Sequence, residues 1–422
     1  MRNHTLKGTA YIWFWFIAIA VLVLYDLTPR LEGFDTSFYI LAGEHIWDGQ
    51  IDCLRTPVYP LLCKTFSLLF GIEGMAIALT LFQSVIYLIS LISLQRLATR
   101  AINNSKLRFA LLIFYVCCIA PGWCNEIGTE SLSISGTIIL TDILFCFIER
   151  PTFKRNLLLH IILLLLLFLR PTFILFAALL PLCFLIKMHN QSFRKHLFLA
   201  LTVSLLCLLC FGGYANLYKK QFGIYGTTST FVFNKVYNTH RGGYWDPNAV
   251  PNPECRRWID TIDQQYTNNY GVIYYTIMKH PESLPLINEG CDDIIHTYKA
   301  KHRQYRISLF ASSFDKRLQA AVNTQTPLSR ILFISSLFLS FPLSFFYLFT
   351  ILAVASLLLI FLFRHQPTLL FAFLSIAVLA HTIGIALTTS DSFERLLLPV
   401  YPLFLIMLGI CIERATFRIT SR

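Results

Sequence analysis

Between residues 33 and 62 the sequence reads GFDTSFYILAGEHIWDGQIDCLRTPVYPLL, acids, aromatics and an arginine set between strongly apolar stretches. Asp35, Tyr39, Arg55, Tyr59 and, just beyond, Lys64 are the residues there that could do chemistry. A carboxylate can take the proton of a hydroxyl as that oxygen attacks, typically contributing about 10²–10⁴-fold in rate. A guanidinium presents a planar fork that grips two phosphate oxygens at once. Asp35 as base and Arg55 as phosphate ligand would therefore suit group transfer from a phosphate-bearing donor to a hydroxyl. Three more charged residues lie near the ends of apolar stretches and extend the set: Glu130 in GTESLSISG, Arg170 in FLRPTFILF and Arg395 in ERLLLPVYPLFLI.

Each of these residues also has a quieter reading. In TSFYILAGEHIW, Tyr39, Gly43 and Ile46 share one helical face, as in an amphipathic helix lying in a membrane interface. Asp35 would then be its N-cap, accepting backbone N–H bonds, and Tyr39 and Trp47 part of an aromatic belt. Glu130 would cap its own helix and Arg170 would snorkel to headgroups. Arg395 would pair with Glu394 or Asp391, while Arg55 and Lys64 would anchor their loop. Asp142, His160 and His381 fall within apolar segments. An acid at mid-bilayer costs about 2.5–3.5 kcal/mol on insertion scales, so Asp142 is expected to have a structural hydrogen-bonding partner. His160 is expected to be packed or hydrated, and His381 lies where it could approach a metal or a phosphate.

The elements that must position these residues follow from composition. Of 422 residues, 55% are hydrophobic and only 14% charged, against about 25% charged in soluble domains. Several apolar stretches approach or pass the roughly 18–20 residues that cross a bilayer, without the alternation of a β-barrel. The expected fold is an all-α polytopic membrane protein of about ten transmembrane helices, with an amphipathic first outer loop and one long outer loop. The spans are expected near 10–25, 74–95, 108–121, 129–148, 156–169, 171–187, 196–217, 342–363, 368–388 and 394–412. Proline disfavours helix at the residue before it, so 156–187 is read as two short helices turning at Arg170–Pro171.

The net charge of +12 does not indicate nucleic acid, because it is concentrated in short connections. Arg96, Arg100, Lys106 and Arg108 form one cluster; Arg150, Lys154 and Arg155 a second; Lys187, Arg194 and Lys195 a third; Arg414, Arg418 and Arg422 the last. Such loops stay in the cytoplasm, which places both termini inside. Tyr11–Leu24 is read as an uncleaved span, since no small-residue cleavage site follows it. Residues 1–217 then form an N-terminal transmembrane half containing the first outer loop, 26–73. Residues 218–341 form an extracytoplasmic region, helical toward its end, and 342–422 the C-terminal helices. Most of the 12 cysteines sit in or beside apolar segments as small core residues. Cys53, Cys255 and Cys291 lie in polar outer sequence, where an oxidising compartment would permit a Cys255–Cys291 bridge.

Taken as a unit, the first outer loop resembles the GT-C superfamily of integral-membrane glycosyltransferases. The nearest likeness is to bacterial members such as the dolichyl-phosphate-mannose-protein mannosyltransferases and the lipid A aminoarabinose transferases. Asp35, Tyr39, Ala42, Gly49, Arg55, Pro57, Tyr59 and Pro60 carry the resemblance, with weaker echoes in Gly128–Gly136, Phe168–Phe176 and Glu394–Ile406. The resemblance implies an inverting transfer of a sugar from a polyprenyl-phosphate donor to a hydroxyl of a lipid, glycan or protein. The reaction would take place outside a cell (inner, plasma) membrane, with membrane lipids around the chain. Many relatives have Asp-Glu where this chain has Asp35-Thr36. A divalent metal ion is therefore either dispensed with or recruited to Glu44, Asp52 or a histidine. Two other classes remain. A flippase or transporter of a lipid-linked saccharide would spread polar residues through the bilayer and often show an inverted repeat. A polysaccharide polymerase or ligase would have a long basic outer loop, without accounting for the Asp35-to-Pro60 pattern.

Overall fold

A computed structural model of the chain describes residues 9–24, 35–118, 123–185, 191–265, 270–312, 369–388 and 396–420. Every regular element among them is a helix. The order is α1 (Thr9–Leu24), α2 (Thr36–Trp47), α3 (Val58–Ala101), α4 (Ser105–Cys118), α5 (Glu130–Glu149), α6 (Phe153–Leu169) and α7 (Ile174–Leu185). It continues with α8 (Gln191–Phe222), α9 (Thr230–Arg241), α10 (Pro253–Gln265), α11 (Tyr270–Lys279), α12 (Ser283–Thr297), α13 (Lys299–Ser312), α14 (Leu369–Thr388) and α15 (Tyr401–Thr420). The expected span at 342–363, and Arg395 with Glu394 and Asp391, lie outside the described residues.

Two apolar cores divide these helices. The larger is built from α1 and α3–α7, with the start of α2, α14 and α15. Two described helices, α3 and α5, are long and apolar enough to cross a membrane by length and composition. Outward from this bundle α3 presents Ile77, Leu81, Val85, Ile89 and Ile92, one residue per helical turn and all exposed. A stripe of that kind suits lipid better than water. The smaller core gathers the end of α8 with α9–α12, and takes Phe38, Cys53 and Leu54 from the first loop. In α10 the pattern is direct: Cys255, Trp258, Ile259 and Ile262, spaced i, i+3, i+4, i+7, are the buried residues. Among the described residues after 218, helices α9–α13 occupy most of 230–312, so helix begins well before the end of this region.

The first loop differs from expectation in its second half. Helix begins at Val58, behind Pro57 at the N-cap position, and runs to Ala101. At Gly71, with φ 73° and ψ 176°, the backbone leaves helical geometry in a conformation that a side chain would strain. The apolar stretch expected from 74 is therefore the second limb of a broken helix. The Leu-Arg-Pro triplet does break the chain: α6 ends at Leu169, Arg170 is extended (φ −147°, ψ 124°), and Pro171 opens a 3-10 turn.

Past the middle of α5, Asp142 is 1% exposed and pairs with Arg96 at 3.3 Å and with Arg100, both on α3. Arg100 also reaches Glu149 at 3.0 Å. The expected partner of Asp142 is thus a pair of arginines. His160 is packed between helices, its ring nitrogens 2.7 Å from the Asn156 carbonyl and 3.1 Å from the Ser204 hydroxyl. Cys53, Cys255 and Cys291 are buried free thiols.

Candidate functional site

Helix α2 lies across the first limb of α3, and their approach sets the site's geometry. A Cβ added at Gly43 would stand 2.7 Å from the Pro60 carbonyl oxygen, so only glycine lets the two backbones come this close. That contact brings Tyr39 edge-on to Tyr59, centroids 4.8 Å apart. The Tyr59 hydroxyl donates to Gln83 at 3.3 Å, and Gln83 Nε2 donates to the carbonyls of Cys124 and Glu126, fixing the segment that leads into α5.

Asp35 occupies the N-cap position of α2, yet its side chain makes no capping hydrogen bond. Its carboxylate pairs instead with Arg55 Nη2 at 2.5 Å. Arg55 also lies over the Tyr39 ring, 4.4 Å from the centroid. At the start of α5, Glu130 is 4% exposed and pairs with Arg170, which also donates from Nε to the Thr129 hydroxyl at 2.6 Å. Two hydroxyls tie the segments together: Thr36 donates to the Ile127 carbonyl at 3.4 Å and Thr56 to the Leu169 carbonyl at 3.2 Å.

The four charges converge on Tyr39. Burial pushes its phenol above the ordinary value near 10, and Arg55, Asp35, Glu130 and Arg170 all act on it electrostatically. Of the residues singled out in the sequence, Asp35, Tyr39, Arg55, Tyr59, Glu130 and Arg170 are therefore one cluster. It is built from α2, the loop before α3, the start of α5 and the break after α6. It sits where the bundle meets the smaller core, since Tyr39 and Tyr59 belong to the first and Phe38, Cys53 and Leu54 to the second. Lys64 is engaged elsewhere, ion-paired with Glu44 beside Gly43. His381 is buried on α14, its Nε2 3.0 Å from the Leu396 carbonyl and its ring 6.4 Å from that of Phe176.

Among the described residues no three His, Cys, Asp or Glu side chains converge to hold a metal ion. The residues that might have replaced a second acid are occupied: Glu44 by Lys64, and Asp52 by two backbone N–H groups and the Tyr274 hydroxyl. Sequence reasoning weighed Asp52 only as a possible metal ligand, and it did not single out His45, Tyr274 or Thr129 as polar partners. Asp52 had a local signal, because Asp followed two and three residues later by acceptable N–H donors makes an Asx turn. Tyr274 had none, standing 222 positions from Asp52.

No family model matches the chain, and no curated protein matches it. Among solved structures it is similar to an archaeal oligosaccharyltransferase, AglB from Archaeoglobus fulgidus, in complex with an inhibitory peptide and a dolichol-phosphate. That likeness is 12% identical, covers 98% of this chain and 52% of that one, and has a TM-score of 0.47. The Archaeoglobus fulgidus oligosaccharyltransferase in complex with Zn and sulfate is 13% identical over 97% of this chain and 50% of that one, with a TM-score of 0.46. The chain spans about half the length of each.

Proposed function

We propose that the chain is a membrane glycosyltransferase that moves a sugar from a polyprenyl-phosphate-linked donor to an acceptor hydroxyl on the extracytoplasmic side. The observation that carries this reading is the gathering of two carboxylate–arginine pairs, Asp35–Arg55 and Glu130–Arg170, around one buried tyrosine. Desolvating ion pairs costs roughly what they return, so pairs drawn from helix ends, a loop and a chain break are weakly explained by stability alone. A phosphate ester and an attacking hydroxyl do need such a concentration of charge.

In this reading Arg55 and Arg170 hold the donor phosphate, with Arg395 as an outlying helper, while Lys64 is held by Glu44. A guanidinium has five N–H donors, and Arg170 spends donors on Thr129 and Glu130 that fix its plane. When a phosphate draws the charge of Arg55, the Asp35 carboxylate loses its cation and becomes a stronger base. The acceptor oxygen then attacks the anomeric carbon as Asp35 takes its proton. The bond from that carbon to the phosphate oxygen breaks, and polyprenyl phosphate leaves with the bonding electrons, inverting the sugar. Tyr39 and Tyr59 pack behind the charged pairs, and Glu130 orients Arg170. Residues 1–217 supply the catalytic half, 218–341 shape the acceptor side, and 342–422 complete the bundle around the lipid tail, with both termini cytoplasmic.

The test is mass spectrometry of lipid-linked sugars in cells carrying wild type, a deletion, or Asp35→Asn at matched expression. The reading expects the deletion and Asp35→Asn to accumulate one polyprenyl-phosphate sugar on the outer leaflet and to lose its product. Wild-type behaviour of Asp35→Asn would remove Asp35 as base. Trapping of the lipid on the inner leaflet in the deletion would make the chain a transporter.

A further inference from the structure

The loop that carries Arg55 is tied down by groups that the proposed chemistry does not use. Asp52 is fully buried and both of its oxygens are engaged. Oδ1 accepts the backbone N–H groups of Leu54 and Arg55, each at 2.8 Å. Oδ2 accepts the Tyr274 hydroxyl at 2.6 Å and stands 3.2 Å from Nδ1 of His45. The Tyr274 oxygen is itself 3.3 Å from that nitrogen. One carboxylate therefore joins the end of α2, the loop before α3, and α11 of the smaller core, the outer layer in the proposed topology.

The flanking residues are held from the same side. Gln221 on α8 accepts the Ile51 N–H at 3.3 Å and donates to the Ile51 carbonyl at 3.0 Å. The Cys53 carbonyl accepts the Tyr218 hydroxyl at 2.8 Å, the Ser229 hydroxyl at 2.6 Å and the Ser229 N–H at 2.7 Å. Anchoring on this scale exceeds what a surface loop requires. It fixes the backbone from which the Arg55 guanidinium reaches Asp35 and the Tyr39 ring, and misplacing a positioned group by about 1 Å can cost on the order of 10²-fold.

We propose that Asp52 is a positioning residue: through its carboxylate, Tyr274 of the outer layer and the imidazolium of His45 hold Arg55 in place to bind phosphate. The inference rests on the reading of Arg55 as the donor-phosphate ligand. It makes the outer layer part of the site's machinery and gives phosphate binding a dependence on pH. The groups facing His45 are Asp52 from the loop, Tyr274 from α11, and Glu44 and Asp48 on its own helix, with Glu44 already paired to Lys64 of α3. Tyr214 of α8 stands within electrostatic reach of Asp52. The hydrogen bond to Asp52 raises His45 above its ordinary value near 6.5, against burial, which lowers it. A raised imidazole is a better base in the folded chain, so the charge-assisted part of the tie is complete below about pH 6.5 and is lost as pH rises through the raised value, while a neutral ring can still donate one hydrogen bond.

The experiment uses the full chain in nanodiscs with undecaprenyl phosphate as probe, for wild type, His45→Gln and Tyr274→Phe. Probe affinity and hydrogen exchange across residues 52–57 are measured at pH 6 and pH 8. Tyr274→Phe is expected to weaken probe binding roughly tenfold at both pH values. Wild type is expected to bind more tightly at pH 6 than His45→Gln does, and the two are expected to converge at pH 8. The comparison cancels the titration of the probe itself, and a merely structural Asp52 would shift the unfolding midpoint without separating these profiles. Identical pH profiles in wild type and His45→Gln overturn the proposal. Absence of probe binding at any pH, with exchange still slowed at pH 6 in wild type alone, removes the phosphate reading of Arg55 and leaves Asp52 as the anchor of the loop.

Discussion

Helix α5 carries one buried acid at its first residue and another twelve positions on, past its middle, and the two are treated differently. Asp142 is matched by Arg96 and Arg100, all three on two regular helices packed side by side, and Arg100 is matched again by Glu149. Glu130, twelve positions earlier and so about 18 Å away along the axis, pairs with an arginine from a chain break. It stands beside a second acid–arginine pair from two further segments. Exposure does not separate the two clusters: Arg96, Arg100 and Glu149 keep 51%, 21% and 29% of their side chains exposed around the closed Asp142, against 20% and 17% for Asp35 and Arg55 and less for Glu130 and Arg170. Charges placed on continuous helices hold those helices together. Charges assembled from helix ends, a loop and a chain break tie segments that no single helix joins, and under the proposed function they are the ones that would meet a substrate.

The sharpest way to break this comparison is to remove one carboxylate from each cluster. Asp35→Asn is expected to reduce sugar transfer by about 10²–10⁴-fold while leaving the unfolding midpoint close to wild type, since its side chain caps no helix. Asp142→Ala is expected to do the reverse. Removing one partner from a buried pair costs about 3–5 kcal/mol, read as a lowered midpoint in detergent, with turnover per folded molecule retained. Equal loss of stability in both variants would erase the distinction between the clusters.

A gentler substitution separates charge from shape. Arg170→Lys keeps the positive charge but loses the fork that reaches Thr129 and Glu130 together. Charge-assisted hydrogen bonds contribute about 1.5–3 kcal/mol each, so the donor KM is expected to rise by roughly 10- to 100-fold with kcat less affected. Arg100→Lys at the other cluster should leave both constants unchanged. A kcat effect at Arg170 as large as the KM effect would mean that it acts on the transition state and not on binding alone.

How much of this was legible in the sequence depends on the range of the interaction. The break at Arg170–Pro171 was readable, because proline constrains the residue before it. Placing 129–148 and 156–169 as antiparallel neighbours already puts Glu130 and Arg170 at one end, although they are 40 positions apart. That Asp142 needs a partner follows from burial alone; that it takes Arg96 and Arg100 depends on how α3 and α5 are rotated, which periodicity leaves open. Asp35 was legible as an N-cap by position and as a base by chemistry. Only the fold shows its carboxylate turned to Arg55. Lys64 belonged by type with the phosphate ligands, but Glu44, one helical face away, takes it. The Asp52–Tyr274 contact crosses from the first loop to the outer layer, and no local pattern encodes it.

The smallest effect distinguishes the clusters by pH. The Asp35–Arg55 cluster is tied through Asp52 to an imidazole, His45, raised by its hydrogen bond to Asp52; the Asp142 cluster contains none among its described members. A raised histidine adds stability that is fully present below about pH 6.5 and is lost as pH rises through its folded-state value. His45 keeps 29% of its side chain exposed, so the contribution should be that of a partly solvated pair, about 0.2–1 kcal/mol. The midpoint of wild type is therefore expected to fall slightly between pH 6 and pH 8, and His45→Gln to remove that slope. Asp142→Asn should lower the midpoint equally at both pH values and leave the slope intact. If the slope survives in His45→Gln, the pH response arises elsewhere in the chain and the Asp35–Arg55 cluster is no more sensitive to protons than the one that merely holds two helices together.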